Sequence, residues 1–140
     1  MTQAPSKLKP KILLADDSSI ARDLLRADLK TALKQGGFAD VDLAEAENGA
    51  QVIEKVTKEN FDLLLLDFYL PVADAETVLR KIRSTASCSK LPVIVVSSDG
   101  SIAFRAKAAG ANVFLRKPVL PGELVSTIKS LIDGTPVLNR

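Results

Sequence analysis

The chain of 140 residues has no histidine, no tryptophan, one cysteine (Cys88) and one tyrosine (Tyr69). A structural zinc site is built from imidazole and thiolate ligands, so this chain cannot supply one, and any metal it holds is bound through oxygen. A single cysteine rules out an intrachain disulfide framework and fits a reducing compartment. No apolar run approaches the length of a membrane span. The run Ile12-Leu13-Leu14-Ala15 is too short for a signal peptide and leads into Asp16-Asp17. A cytoplasmic location without membrane contact is therefore expected. Net charge is only +2 and no basic run stands out, so direct nucleic-acid binding is not expected. The glycine-rich turn of a dinucleotide site is missing as well, because Asp16-Asp17-Ser18-Ser19 stands where it would fall.

What is present is ordinary in bulk, at 46% hydrophobic and 26% charged residues, and it is ordered in sequence. Apolar runs of four to six residues alternate with helix-period stretches, the pattern of βα units around a parallel sheet. Residues 1–10 read as a flexible leader, 11–133 as one α/β domain and 134–140 as a tail or the start of a linker. Strands are expected at Lys11–Ala15, around Val41–Ala44, and at Asp62–Leu66, Pro92–Val96 and Asn112–Leu115. The third and fourth are apolar on both faces and therefore central.

The first helix is expected to be capped by Ser18 or Ser19 and to turn Ile20, Ala21, Leu24, Leu25, Leu29, Ala32 and Leu33 inward before Gly36-Gly37 stops it. A second helix follows Asn48-Gly49, and a third runs from Asp74 to Arg83. The fourth, Ser101–Ala109, has Ile102 and Phe104 as its only large apolar groups and should be the most loosely held. The last opens at Pro121 and is closed by Gly134 and Pro136. Lys30, Lys34, Lys55, Arg80, Lys81 and Arg83 read as solvated charge on helix faces.

Four polar residue sets fall at strand exits: Asp16-Asp17 after the first strand, Asp67 after the third, Ser97 after the fourth and Lys117 after the fifth. In a doubly wound sheet these ends face the crevice where ligands bind. Three converging carboxylates repel one another, and a divalent cation relieves this. Oxygen-only ligands with room for water and phosphate describe Mg²⁺, with Mn²⁺ as the alternative. A carboxylate so held can attack phosphorus and form an acyl phosphate. The ammonium of Lys117 and the hydroxyl of Ser97 can then pair with phosphoryl oxygens. Any one of these residues alone has a mundane explanation as a cap, a turn or a loop residue. Four at matching strand exits do not.

The set Asp16-Asp17-Ser18, Asp67 with Pro71 and Asp74, Ser97, Ala109-Gly110-Ala111 with Phe114, and Lys117-Pro118 resembles the receiver domain of bacterial two-component response regulators. The likeness runs over nearly the whole chain. It implies a flavodoxin-like (βα)5 fold with strand order 2-1-3-4-5. It further implies that Asp67 accepts a phosphoryl group from a histidine kinase or histidine phosphotransfer protein. Asp17, Asp67 and the backbone carbonyl of Tyr69 would bind Mg²⁺ directly, with Asp16 assisting through water. Lys117 would contact the phosphoryl group, and its bond to Pro118 would be cis. Ser97 would turn toward the phosphoryl oxygen while Phe114 swings inward. Helix 4, strand 5 and helix 5 would form the face that a downstream effector reads. The implied role is a signalling switch, not an enzyme with separate turnover.

Leu70 and Ala75 stand where the family commonly has Met and Gly, Ser97 replaces the commoner Thr, and Ser98 replaces a small apolar residue. The first helix and its following loop are longer than usual. Tyr69 is bulky for its position, and a ring there could shield an acyl phosphate from water, with Asp99 close to the same mouth. Two other readings compete. A dehalogenase-type phosphohydrolase also uses a strand-end Asp and Mg²⁺, but its Asp-x-Asp pattern fails at Tyr69. The other is a receiver-shaped interaction module that works without phosphorylation.

Overall fold

The structure is a computed structural model that describes residues 9–133. The expected leader up to residue 8, the tail, and Gly134 and Pro136 as helix terminators lie outside the described residues. Pro10 is already joined to the sheet, its carbonyl accepting from Asp42 N–H at 2.9 Å.

The sheet is parallel and runs β2-β1-β3-β4-β5. Its strands are β1 (Lys11–Ala15), β2 (Asp42–Ala46), β3 (Leu63–Asp67), β4 (Val93–Ser97) and β5 (Val113–Arg116). Alternation of side chains about the pleat divides the core in two. Leu13, Leu64, Leu66, Val93 and Val95 pack on the face covered by α2 (Gly49–Lys58), α3 (Ala75–Ser84) and α4 (Ala103–Ala109). Ile12, Leu14, Leu63, Leu65, Ile94 and Val96 pack on the other face, under α1 (Ser19–Gln35) and α5 (Pro121–Asp133). All five residues of β3 and of β4 are buried, as strands apolar on both faces require. This is the flavodoxin-like order expected.

The strand bounds need one correction. By apolarity β3 ended at Leu66 and β4 at Val96, yet the ladder includes the polar residue beyond each. Asp67 pairs with Val96, and Ser97 with Arg116. Ladder bonds are made by the backbone, which does not register the side chain. Asp67 and Ser97 are therefore part of the rigid sheet.

A second correction concerns α1. Ile20 and Leu24 were expected to point inward but are 72% and 65% exposed. The buried positions of α1 are Leu29, Ala32 and Leu33, all in its second half. A helix of this length spans about 25 Å against about 16 Å for a five-residue strand, so its first half outruns the sheet.

A third concerns Arg83, which is not solvated charge. Its guanidinium donates to the carbonyls of Ser89, Leu91 and Gly110 and to Asn112 Oδ1, at 2.7–3.0 Å.

Ser18 is the cap of α1, its hydroxyl accepting from Ala21 N–H at 3.1 Å. Asn48 and Asp74 cap α2 and α3 in the same way. A single 3₁₀ turn, Gly100–Ile102, precedes α4, which buries Ala106 and Ala109 and leaves Phe104 82% exposed.

Candidate functional site

Asp16 leaves β1 with its N–H bonded to the Ala46 carbonyl at 3.1 Å. Its side chain is then fixed by Ser18 N–H, which donates to Oδ1 at 2.9 Å. Arg22, one turn into α1, donates to the Asp16 carbonyl at 2.6 Å and to Glu45 Oε1 at 2.7 Å. Asp67 closes β3. Asp16 and Asp67 are buried, and Asp17 is exposed between them and solvent. One carboxylate oxygen from each of the three lies within 4.8 Å of the others. The convergence expected from the strand exits is present.

Lys117 leaves β5, its N–H bonded to the Ser97 carbonyl at 2.9 Å. Its Nζ donates to Asp67 Oδ1 at 2.9 Å and to Asp16 Oδ2 at 3.3 Å. The Lys117–Pro118 bond is cis, as the resemblance implied. One ammonium thus bonds two of the three carboxylates, and the cluster keeps an excess of negative charge. Burial pushes the Asp67 carboxyl above its ordinary range, Asp16 and Asp17 push it the same way, and the bond from Lys117 opposes them. Burial disfavours the charged form of Lys117, but the bonds and attraction of Asp67 and Asp16 together outweigh it and raise its pKa.

Ser97 is buried at the end of β4, with its Oγ accepting from Asp99 N–H at 3.1 Å. Phe114 is half-buried on β5 and packs against the core layer that contains Ile102 and Ala106. Tyr69 is exposed; its hydroxyl donates to Asp99 Oδ2 at 2.8 Å, and its ring meets Phe68 edge-on at 5.0 Å.

Sequence reasoning missed two supports. Arg105 on α4 lies 5.3 Å from the centroid of the Phe68 ring and pairs with Glu76 of α3 at 2.5 Å. Nothing local in the sequence marks that contact, which spans 29 positions. Gly49 donates to the Pro71 carbonyl at 3.2 Å, and a Cβ there would stand 1.9 Å from the Ala73 carbonyl oxygen. Only glycine lets α2 meet the β3–α3 loop so closely. The Asn48-Gly49 pair at a helix start was the signal available.

Beside the carboxylates a groove of about 390 Å³ opens between α1 and the β5–α5 loop. Asp16 and Lys117 stand in its wall with Ala21, Leu24, Pro118 and Val119.

A family model described as the response regulator receiver domain matches residues 12–129. The chain is 36% identical, over 87% of its length, to the transcriptional regulatory protein ResD of Bacillus subtilis, of which it spans 48%. It is 30% identical to the chemotaxis protein CheY of the same organism, over 88% of this chain and 98% of that protein. Thus it spans about half the length of the transcriptional regulator and nearly all of the chemotaxis protein. Among solved structures, the receiver domain of the sensor histidine kinase PA1611 from Pseudomonas aeruginosa superposes with a TM-score of 0.77 at 25% identity, covering 91% of this chain and 99% of that one. That structure holds a magnesium ion coordinated in its active-site cleft.

Proposed function

Because this chain belongs to the receiver domains of response regulators, we propose that it is a phosphorylation-dependent switch whose acceptor is Asp67. The observation that carries the reading is the placement of Asp67 as the last residue of a fully buried strand, 2.9 Å from Lys117 Nζ and within 4.8 Å of Asp16 and Asp17. A carboxylate oxygen of Asp67 attacks phosphorus of a phosphohistidine. The P–N bond breaks, and its electron pair leaves with the imidazole. Catalysis here consists of positioning and charge stabilisation. Lys117 Nζ passes from Asp67 to a phosphoryl oxygen, and the Ser97 hydroxyl donates to another.

The donor set fits a divalent ion. It is oxygen-only, it carries more negative charge than Lys117 offsets, and the exposed Asp17 leaves one side open to water. Asp17, Asp67 and the Tyr69 carbonyl would hold Mg²⁺, or Mn²⁺, with Asp16 assisting through water. The ion, when bound, neutralises charge on the phosphoryl oxygens.

The groove beside Asp16 and Lys117 suits a histidine kinase or phosphotransfer protein. Leu24 lines it, Ile20 lies one turn earlier, and Leu120 follows Val119, so exposed apolar groups rim the acceptor. A downstream effector would read the α4–β5–α5 face, where Phe104 is exposed.

Incubation with acetyl phosphate and Mg²⁺, followed by intact mass measurement, should show one added phosphoryl group, absent from Asp67→Asn. No addition to the wild type, or the same addition to the variant, would favour an interaction module that works without phosphorylation.

A further inference from the structure

Side chains that neither bind metal nor touch the carboxylates tie the exits of β3 and β4 together. Tyr69 Oη donates to Asp99 Oδ2 at 2.8 Å. The other oxygen of Asp99 accepts from Ser101 N–H at 3.0 Å and from Ser101 Oγ at 2.6 Å, which fixes the start of the 3₁₀ turn. The backbone N–H of Asp99 donates to Ser97 Oγ at 3.1 Å. Two hydrogen bonds through one residue therefore connect the phenol of Tyr69 to the hydroxyl of Ser97.

The tyrosine end is itself held. Its ring lies edge-on to Phe68 at an interplanar angle of 83°, and Arg105, paired with Glu76, stands over the far ring. The Tyr69 ring thus rests on a phenylalanine that Arg105 covers, while Asp99 is held from both its oxygens. In this arrangement Ser97 Oγ is engaged by Asp99 N–H and not by Asp67.

We propose that the Tyr69–Asp99 hydrogen bond is a latch that keeps the Ser97 hydroxyl in its turn and so opposes the state in which Ser97 meets a phosphoryl group. Tyr69 is then a positioning residue, acting through Asp99 on Ser97. The proposal rests on the reading of Asp67 as acceptor. Turning the Ser97 hydroxyl toward a phosphoryl oxygen gives up its bond from Asp99 N–H, and the phenol of Tyr69 helps hold Asp99 where that bond is made. The latch raises the population of the resting state, and the apparent affinity for anything that needs the other state falls by the same factor. A hydrogen bond of ordinary net strength is worth about threefold to tenfold in such a ratio. The phenol of Tyr69 is committed to Asp99, so its removal should affect the switch even when the ring stays.

The test uses beryllium trifluoride, a tetrahedral stand-in for the phosphoryl group, titrated with Mg²⁺ present and read from the amide NMR signals of Ser97 and Asp99. Tyr69→Phe keeps the ring and the backbone carbonyl and loses only the hydroxyl; it should bind about threefold to tenfold more tightly than wild type. In a Ser97→Ala background the same substitution should change nothing, a result that a merely structural role for Tyr69 would not give. Equal or weaker binding by Tyr69→Phe, or a gain that persists without the Ser97 hydroxyl, overturns the latch. Failure of the wild type to bind the probe at all overturns the acceptor reading, and the latch with it.

Discussion

Val72 has a φ of +72° and is 80% exposed. A β-branched side chain in the left-handed region crowds its own backbone, and at this exposure little packing compensates. Asparagine tolerates that conformation. Val72→Asn is therefore expected to raise stability by about 1 kcal/mol in urea unfolding, and a lower stability would show that the valine side chain is held by contacts that outweigh the strain. At this scale the sequence is most readable where the chemistry is local. Ser18 bonds three positions on, as do Asn48 and Asp74, and such caps follow from residue type and spacing. Tyr69 and Asp99 are 30 positions apart. Each could be placed near the mouth, but their hydrogen bond depends on the β3 and β4 exits lying side by side.

Among the elements, the joint between α3 and the loops around it rests on Arg83, whose guanidinium reaches four acceptors on two segments, the α3–β4 connection and the α4–β5 loop. Burial pulls its pKa down from the ordinary value, which marks a guanidinium withdrawn from water and dependent on those acceptors. Arg83→Met keeps the apolar stem and strands the carbonyls of Leu91 and Gly110, so it should cost about 2–4 kcal/mol in urea unfolding. Arg83→Lys should recover only a minor part, because one ammonium cannot span a planar fork. Full recovery by lysine would show that charge, not geometry, is what the joint uses. Periodicity places Arg83 on a helix face, and a charge on a helix face reads as solvated. The same inference failed in the opposite sense for Ile20 and Leu24, where an apolar stripe continued past the end of the sheet. Periodicity reports which way a side chain points from its own axis. What lies in that direction is set by the length and packing of other elements.

For the whole molecule, alternation of short apolar runs with helical stretches was enough to give the parallel sheet, the order of its strands came from the resemblance to receiver domains, and strand exits were enough to gather Asp16, Asp17, Asp67, Ser97 and Lys117 at one end. What composition could not give was the electrostatic balance among them, since that depends on burial. Asp67 is buried beside two other carboxylates, and burial is the largest reason its pKa lies above the ordinary 3.8. A folded-state pKa above the unfolded one means that the folded protein binds more protons in that window. The contribution of Asp67 to stability is thus fully present below pH 3.8 and is lost as pH rises through the folded value. Asparagine has no such dependence. In chelator, Asp67→Asn should melt above the wild type by a wider margin at pH 7 than at pH 4. Mg²⁺ bound only by the folded state stabilises it by about 2.7 kcal/mol at a hundredfold excess over Kd. Added Mg²⁺ should therefore raise the wild type far more than the variant and close the gap at pH 7. A gap that ignores both pH and Mg²⁺ would show that asparagine acts through packing, and that the charge gathered at the end of the sheet is not what the domain strains against when no ion or phosphoryl group is there.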